Sequence, residues 1–241
     1  MKRTQLFTLA SLMIASSGLA SATTITFQGL DAARSAQVWM NFTYLTGDLM
    51  LNGNTASSTT SVNEQIGVGV LNIAFDGSLQ LQDAFCVDRF RYISNGNYTV
   101  NVSAPSTVTN GARAAWLLHD ILPQINAAPV GTQQRNLAAA LQMAIWDIIQ
   151  DGGDGFLAGR IRQSTSTNAL RVTDPIILSL ANTFITRSNG QAYTNALVLN
   201  NVNVNSYTQR LIVDQGVPEP STWALALTGL LWAGIRRAKR V

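Results

Sequence analysis

Three residue types in this chain could do chemistry, and each is scarce or oddly placed. Cys86 is the only cysteine, in Ala84-Phe85-Cys86-Val87-Asp88, a strand-like context. With no internal disulfide partner, it is either a buried thiol acting as a small apolar residue or a sulfur used in a reaction. Gln142 is the second. It shares a helical stripe at i, i+3, i+4, i+7 with Ile145, Trp146 and Ile149, beside a core stripe of Leu137, Leu141, Ala144, Ile145 and Ile148. An unpartnered amide buried there costs ~1–3 kcal/mol. Gln142 therefore hydrogen-bonds backbone, lies at the stripe's edge, or has had its amide consumed. His119, the only histidine, is the third. No protease-like motif surrounds Cys86 or His119 to make them a hydrolase dyad. Asp151-Gly152-Gly153-Asp154-Gly155 has the carboxylates a hard cation needs but lacks the distal glutamate and regular spacing of an EF-hand loop, so it reads as a helix-terminating turn. No phosphate loop, zinc pattern or dinucleotide fingerprint occurs, and no metal or cofactor is expected.

The elements that must position these residues change character along the chain. Residues 24–103 read as β-rich, with strand candidates over 37–44, 68–74, 78–87, 90–93 and 98–102, the last two joined at Asn95-Gly96. Residues 53–63, rich in Ser, Thr and Asn, read as a loop. The period then becomes helical. A short helix over 111–122 is expected to stop at Pro123. The strongest helix covers 132–150, with Thr132 as its N-cap and Gly152-Gly153 beyond its end. A third begins at Asp174-Pro175 and runs to Asn189-Gly190. A last strand covers 206–213. The order β, α, β predicts an α+β fold: a barrel- or sandwich-like β lobe interrupted by a helical lobe of about three helices.

Phe85-Cys86-Val87-Asp88, followed by Gln142-Met143-Ala144-Ile145-Trp146 on a helix, resembles the bacterial thioester domain of surface adhesins. Ala114-Ala115-Trp116-Leu117-Leu118 resembles the helix that such domains place between the two motifs, and the likeness spans roughly residues 30–212. It departs from the family at Leu141, where Thr is frequent. The resemblance implies an internal thioester between the Cys86 sulfur and the Gln142 side-chain carbonyl, which a ligand amine then attacks. Phe85, Asp88, Ala144, Ile145 and Trp146 would support the bond. Phe85, Trp146 and Ile149 would shield it from water, and His119 would be a general base on the amine.

Both ends read as sorting segments. Lys2 and Arg3, an apolar stretch over residues 6–15 and the small-residue site Ala20-Ser21-Ala22 form a secretory signal peptide, residues 1–22. Residues 216–241 hold Val217-Pro218-Glu219-Pro220, an uncharged run over 221–235 and a basic tail. That run reaches only ~22 Å of a ~30 Å hydrocarbon core, which suits a temporary anchor. The tail resembles the PEP-CTERM sorting signal of Gram-negative bacteria. The resemblance implies handling by an exosortase at the inner membrane near Pro218-Glu219-Pro220, then release to the cell surface or extracellular matrix. The core is residues 23–215.

Trimming reverses the charge argument. The whole chain is +3, but 6 of its 16 basic residues lie in the two ends. The remaining 10, all arginine, stand against 13 acids, about −3 over residues 23–219. No basic stripe is left to bind nucleic acid. Lys2 and Lys239 are the only lysines. GC-rich codon usage explains such a core, and so does a thioester that must not meet an amine on its own surface, since arginine stays protonated. The expectation is a secreted, non-enzymatic protein that attaches covalently to an amine-bearing partner. The alternative is a non-covalent matrix protein of the same fold with an inert Cys86.

Overall fold

The computed structural model describes residues 22–50, 53–76, 78–91, 93–202 and 209–215. The signal peptide, apart from Ala22, and the segment with Val217, Pro218, Glu219 and Pro220 lie outside these residues. Among the described residues there are seven strands: β1 (Ala22–Tyr44), β2 (Thr60–Phe75), β3 (Gln82–Cys86), β4 (Gly96–Ser103), β5 (Ile161–Gln163), β6 (Ala196–Asn201) and β7 (Leu211–Asp214). Between β4 and β6 lie three helices, α1 (Gly111–Ala127), α2 (Thr132–Asp151) and α3 (Pro175–Arg187). The fold is α+β, with a helical lobe interrupting the β lobe, as the β, α, β order predicts.

All strand pairs are antiparallel, and the pairings close on themselves: β1–β2–β3–β7–β6–β4 and back to β1. The length of β1 makes this closure possible. Its first part, Ala22–Phe27, pairs with β4, Ile25 onward pairs with β2, and Met40–Phe42 also carries β5. Closing a sheet needs local bending, which β-bulges supply. Register shifts occur in β1 between Phe27 and Gly29 and between Leu30 and Ser35. Opposite the second lies Gly69, at φ +144°, where a Cβ would stand 2.3 Å from the Arg34 carbonyl oxygen. Only glycine fits so close an approach.

α2 is the central element. Every residue from Ala138 to Ile149 is buried, so its core contact is not one stripe but its whole circumference. It packs against β1, β2 and β3 on one side and α1 and α3 on the others. A helix enclosed on all faces must be apolar or carry satisfied polar groups. That makes the partners of Gln142 a strict question.

Several local expectations are corrected. α1 does not stop at Pro123 but continues to Ala127. Proline removes one helical hydrogen bond, and the turn beyond it is held by fully buried Ile125, whose carbonyl accepts from Gln134 Nε2 at 3.0 Å. α2 is preceded by Gly131 at φ 136°, and Thr132 is not its cap. Of the expected strand over 90–93, the described residues Phe90, Arg91 and Ile93 lie in no strand: the Asp88 carbonyl accepts from the Arg91 N–H at 3.3 Å, a turn rather than a hairpin arm. β2 begins at Thr60, inside the expected loop, and β5 and β6 were not anticipated. The expected last strand appears as Leu211–Asp214, with residues 206–208 outside those described. α3 starts as expected, Asp174 accepting from the Ile176 N–H at 2.8 Å with Pro175 in the first turn. Among the described residues no helix is long and apolar enough to cross a membrane.

Candidate functional site

Cys86 is the last residue of β3 and pairs with Leu211 of β7, which fixes its main chain in the sheet. Gln142 lies midway along α2, on the face turned to that strand end. The two residues are joined reciprocally. The Cys86 N–H donates to Gln142 Oε1 at 2.8 Å, and Gln142 Nε2 donates to the Cys86 carbonyl at 2.8 Å. Cys86 is 3% exposed and Gln142 2%. Both polar atoms of the amide therefore have a partner, and of all backbone available to it, that partner is the main chain of the only cysteine.

Both residues line a cavity of about 540 Å³ that also involves Arg89, Trp146, Leu30, Gln37 and Gln209. Burial pushes the Cys86 thiol well above its ordinary range. The Trp146 indole N–H, the Asp88 main-chain N–H and the Arg89 charge all favour the thiolate and do not overcome that penalty. The sulfur is thus a neutral, shielded thiol. Trp146 is itself buried, and its Nε1 faces the sulfur without reaching hydrogen-bond geometry to any described group. Its ring packs edge-on against Phe42, with centroids 6.4 Å apart.

Arg89, three residues after Cys86, was not singled out by the sequence. It is 2% exposed and lies 3.8 Å over the Phe42 ring, within 5.8 Å of Trp146. Its Nη2 donates to Glu64 Oε2 at 3.1 Å and to the Tyr44 hydroxyl at 3.3 Å, while Tyr44 donates to Glu64. Burial, the larger cause, and the Glu64 carboxylate push the Tyr44 hydroxyl up, keeping it a donor. A buried cation with a carboxylate and an aromatic cover is a rigid wall for the cavity. The available signal was an arginine directly after Cys86-Val87-Asp88.

The other expected residues fall into distinct places. The Asp88 carboxylate pairs with Arg91 at 2.9 Å and Arg210 at 3.5 Å, tying the turn after β3 to the residues before β7, and its charge adds to the upward push on the Cys86 thiol. Phe85, Ala144 and Ile145 are fully buried in the core around the pair and do not line the cavity, and neither does Ile149. Of the three expected shields, Trp146 alone faces the cavity. His119 stands elsewhere, with Nδ1 3.0 Å from Asp214 Oδ2 and its ring stacked on Tyr193 at 4.1 Å. It is not among the residues lining the cavity.

At the far end of α2, Asp147, Asp151 and Asp154 each bring a carboxylate oxygen within 4.8 Å of the others. Burial above all, then the Asp154 and Asp151 charges, push the Asp147 carboxyl up to about 7 against the Gly155 N–H and Arg113.

No protein-family model matches the chain, and no curated protein matches it. Among solved structures it is similar to the N-terminal domain of the Streptococcus pyogenes pilus tip adhesin Cpa, at 12% identity and TM-score 0.41, over 79% of this chain and 99% of that one. It is also similar to the N-terminal thioester domain of a surface protein from Clostridium perfringens, at 11% identity and TM-score 0.39, over 76% and 100% of the respective chains.

Proposed function

We propose that the chain is an exported surface or matrix protein that captures an amine-bearing partner through a thioester between Cys86 and Gln142. The reciprocal pairing of the Gln142 amide with the Cys86 main chain carries this reading. It holds the carboxamide of an otherwise enclosed helix at the sole thiol. In the first step the Cys86 sulfur bonds to the Gln142 side-chain carbon, the carbon–nitrogen bond breaks, and ammonia leaves with the thiol proton. In the second, a primary amine attacks the same carbon, the carbon–sulfur bond breaks, an amide forms, and the departing sulfur takes up the proton lost by the amine. The Cys86 N–H, 2.8 Å from Gln142 Oε1, is placed to stabilise the oxyanion of both tetrahedral intermediates. Low exposure keeps water from the bond until an amine enters the cavity. One capture per molecule is stoichiometric, so the protein is not an enzyme. Export and exosortase sorting rest on the terminal segments.

The second reading, a non-covalent structural protein, has its own observation. The Gln142 amide is already satisfied as it stands, so nothing in its surroundings demands a reaction. The two separate experimentally. The full chain, purified in mild detergent and incubated with a fluorescent cadaverine, is expected to carry the dye through a denaturing gel and to yield it on the peptide containing Gln142. Cys86→Ala is expected to abolish labelling. Absence of label on the wild-type chain, or label that survives Cys86→Ala, sinks covalent capture and leaves the structural reading.

A further inference from the structure

The acidic turn at the end of α2 has no part in that chemistry, and its charge is unresolved. Asp147 and Asp151 are one helical turn apart on the same face. α2 ends at Asp151, and Gly152, at φ 75°, reverses the chain as a left-handed cap. That reversal returns Asp154 to the other two carboxyl groups, so each of the three brings an oxygen within 4.8 Å of the others.

Their hydrogen bonds do not account for them. Asp147 is 0% exposed; its Oδ2 accepts from the Gly155 N–H at 3.2 Å, but its Oδ1 is buried with no partner. Asp151 accepts from the N–H groups of Arg160 and Ile161, at 2.9 and 2.8 Å. Asp154 is exposed and makes no ion pair among the described residues. The nearby arginine, Arg113, is engaged elsewhere: it donates to Ser188 Oγ at 2.9 Å, the Gly152 carbonyl at 2.7 Å and the Ile185 carbonyl at 2.8 Å. A buried carboxylate oxygen with no donor, beside two more carboxylates and no contacting cation, is costly unless a proton or a metal cation joins it, and three carboxylates together favour the metal.

We propose that Asp147, Asp151 and Asp154 form a calcium site that locks the end of α2. The donor set is all oxygen, which favours a hard cation and disfavours zinc or copper. Oxygens within 4.8 Å of one another can share one such ion. Ca²⁺–O bonds of ~2.3–2.6 Å hold opposed oxygens up to about 5 Å apart, whereas Mg²⁺ at ~2.0–2.1 Å draws them closer and keeps most of its water. The ion would also bear on the cavity. Asp151 holds the start of β5, β5 pairs with β1 at Met40–Phe42, and Phe42 packs on Trp146.

The test is thermal unfolding of the full chain in EDTA, in CaCl₂ and in MgCl₂ of equal ionic strength, alongside terbium luminescence excited through tryptophan. Calcium is expected to raise Tm by several degrees with half-saturation at about 0.1–1 mM, as for extracellular modules. EDTA should reverse the rise, and magnesium should give a clearly smaller one. Asp154→Asn, at an exposed position, should remove the calcium response and the terbium signal without lowering the metal-free Tm. Asp147→Asn should also remove the response while raising the metal-free Tm, because it deletes a buried charge. A calcium shift no larger than magnesium's, or one retained in Asp154→Asn, overturns the site. None of these readings depends on whether the thioester forms.

Discussion

Cys86 and Gln142 were visible as residues before their geometry was known, because both violate expectation by type: a lone thiol, and an amide in an apolar stripe. What the stripe could not reveal is the amide's partner. That partner is main chain from a strand 56 positions earlier, and its placement depends on β3 ending at Cys86. Arg89 was invisible for the opposite reason. A single arginine in a sequence is read as surface, and only the closed sheet brings Glu64, Tyr44 and Phe42 around it. Its burial makes a residue-scale prediction. Arg89→Met removes the cation and strands the Glu64 carboxylate, whose side chain is 13% exposed. Losing one partner of a buried pair costs about 3–5 kcal/mol. Urea unfolding should show a loss of that size, largely recovered in the double variant Arg89→Met/Glu64→Gln. A loss under about 1 kcal/mol, the range of surface pairs, would mean that the pair is not buried in solution.

Among the elements, the long helices were legible and the short strands were not. α2 and α3 carry strong period and clear ends, whereas β5 spans Ile161–Gln163 and β6 is Ala196–Asn201, too short or too polar at one end for a pattern to register. Pro123 misled because local propensity was outweighed by burial of Ile121 and Ile125 on either side of it. The start of α1 has a requirement that no pattern shows. A Cβ on Gly111 would stand 2.1 Å from the Pro105 carbonyl oxygen and 3.0 Å from its carbon, both backbone atoms of the preceding 3₁₀ turn, Pro105–Thr107. Gly111→Ala must therefore push α1 away from that turn, at a cost of about 1–3 kcal/mol typical of overpacking. A lowered unfolding midpoint with an unchanged circular-dichroism spectrum is the expected result, and an unshifted midpoint would contradict the close approach.

For the whole molecule, the β, α, β order carried over to the architecture, since inserting a helical lobe into a β lobe follows from the change of period alone. Whether the β lobe closes as a barrel or packs as a sandwich was left open by the pattern, because closure depends on β1 pairing with both β2 and β4 through bulges at Gly29 and opposite Gly69. Apart from Ala22, the two sorting segments lie outside the described residues, and their reading stands on residues 1–22 and 216–241 as sequence. The lysine-free core ties the scales together: an amine-selective acyl group at Gln142 would meet arginine rather than lysine on the surfaces of its own copies.

The central claim is a bond, and its mass is the most direct test. Intact-mass spectrometry of the denatured full chain, corrected for whichever termini the isolated protein carries, should give a value one ammonia below the sequence mass. After methylamine it should rise by the whole mass of methylamine, with Cys86 newly titratable by a thiol reagent. A chain at full sequence mass, with Cys86 already titratable on denaturation and methylamine without effect, would contradict the account and leave a structural protein with a buried thiol.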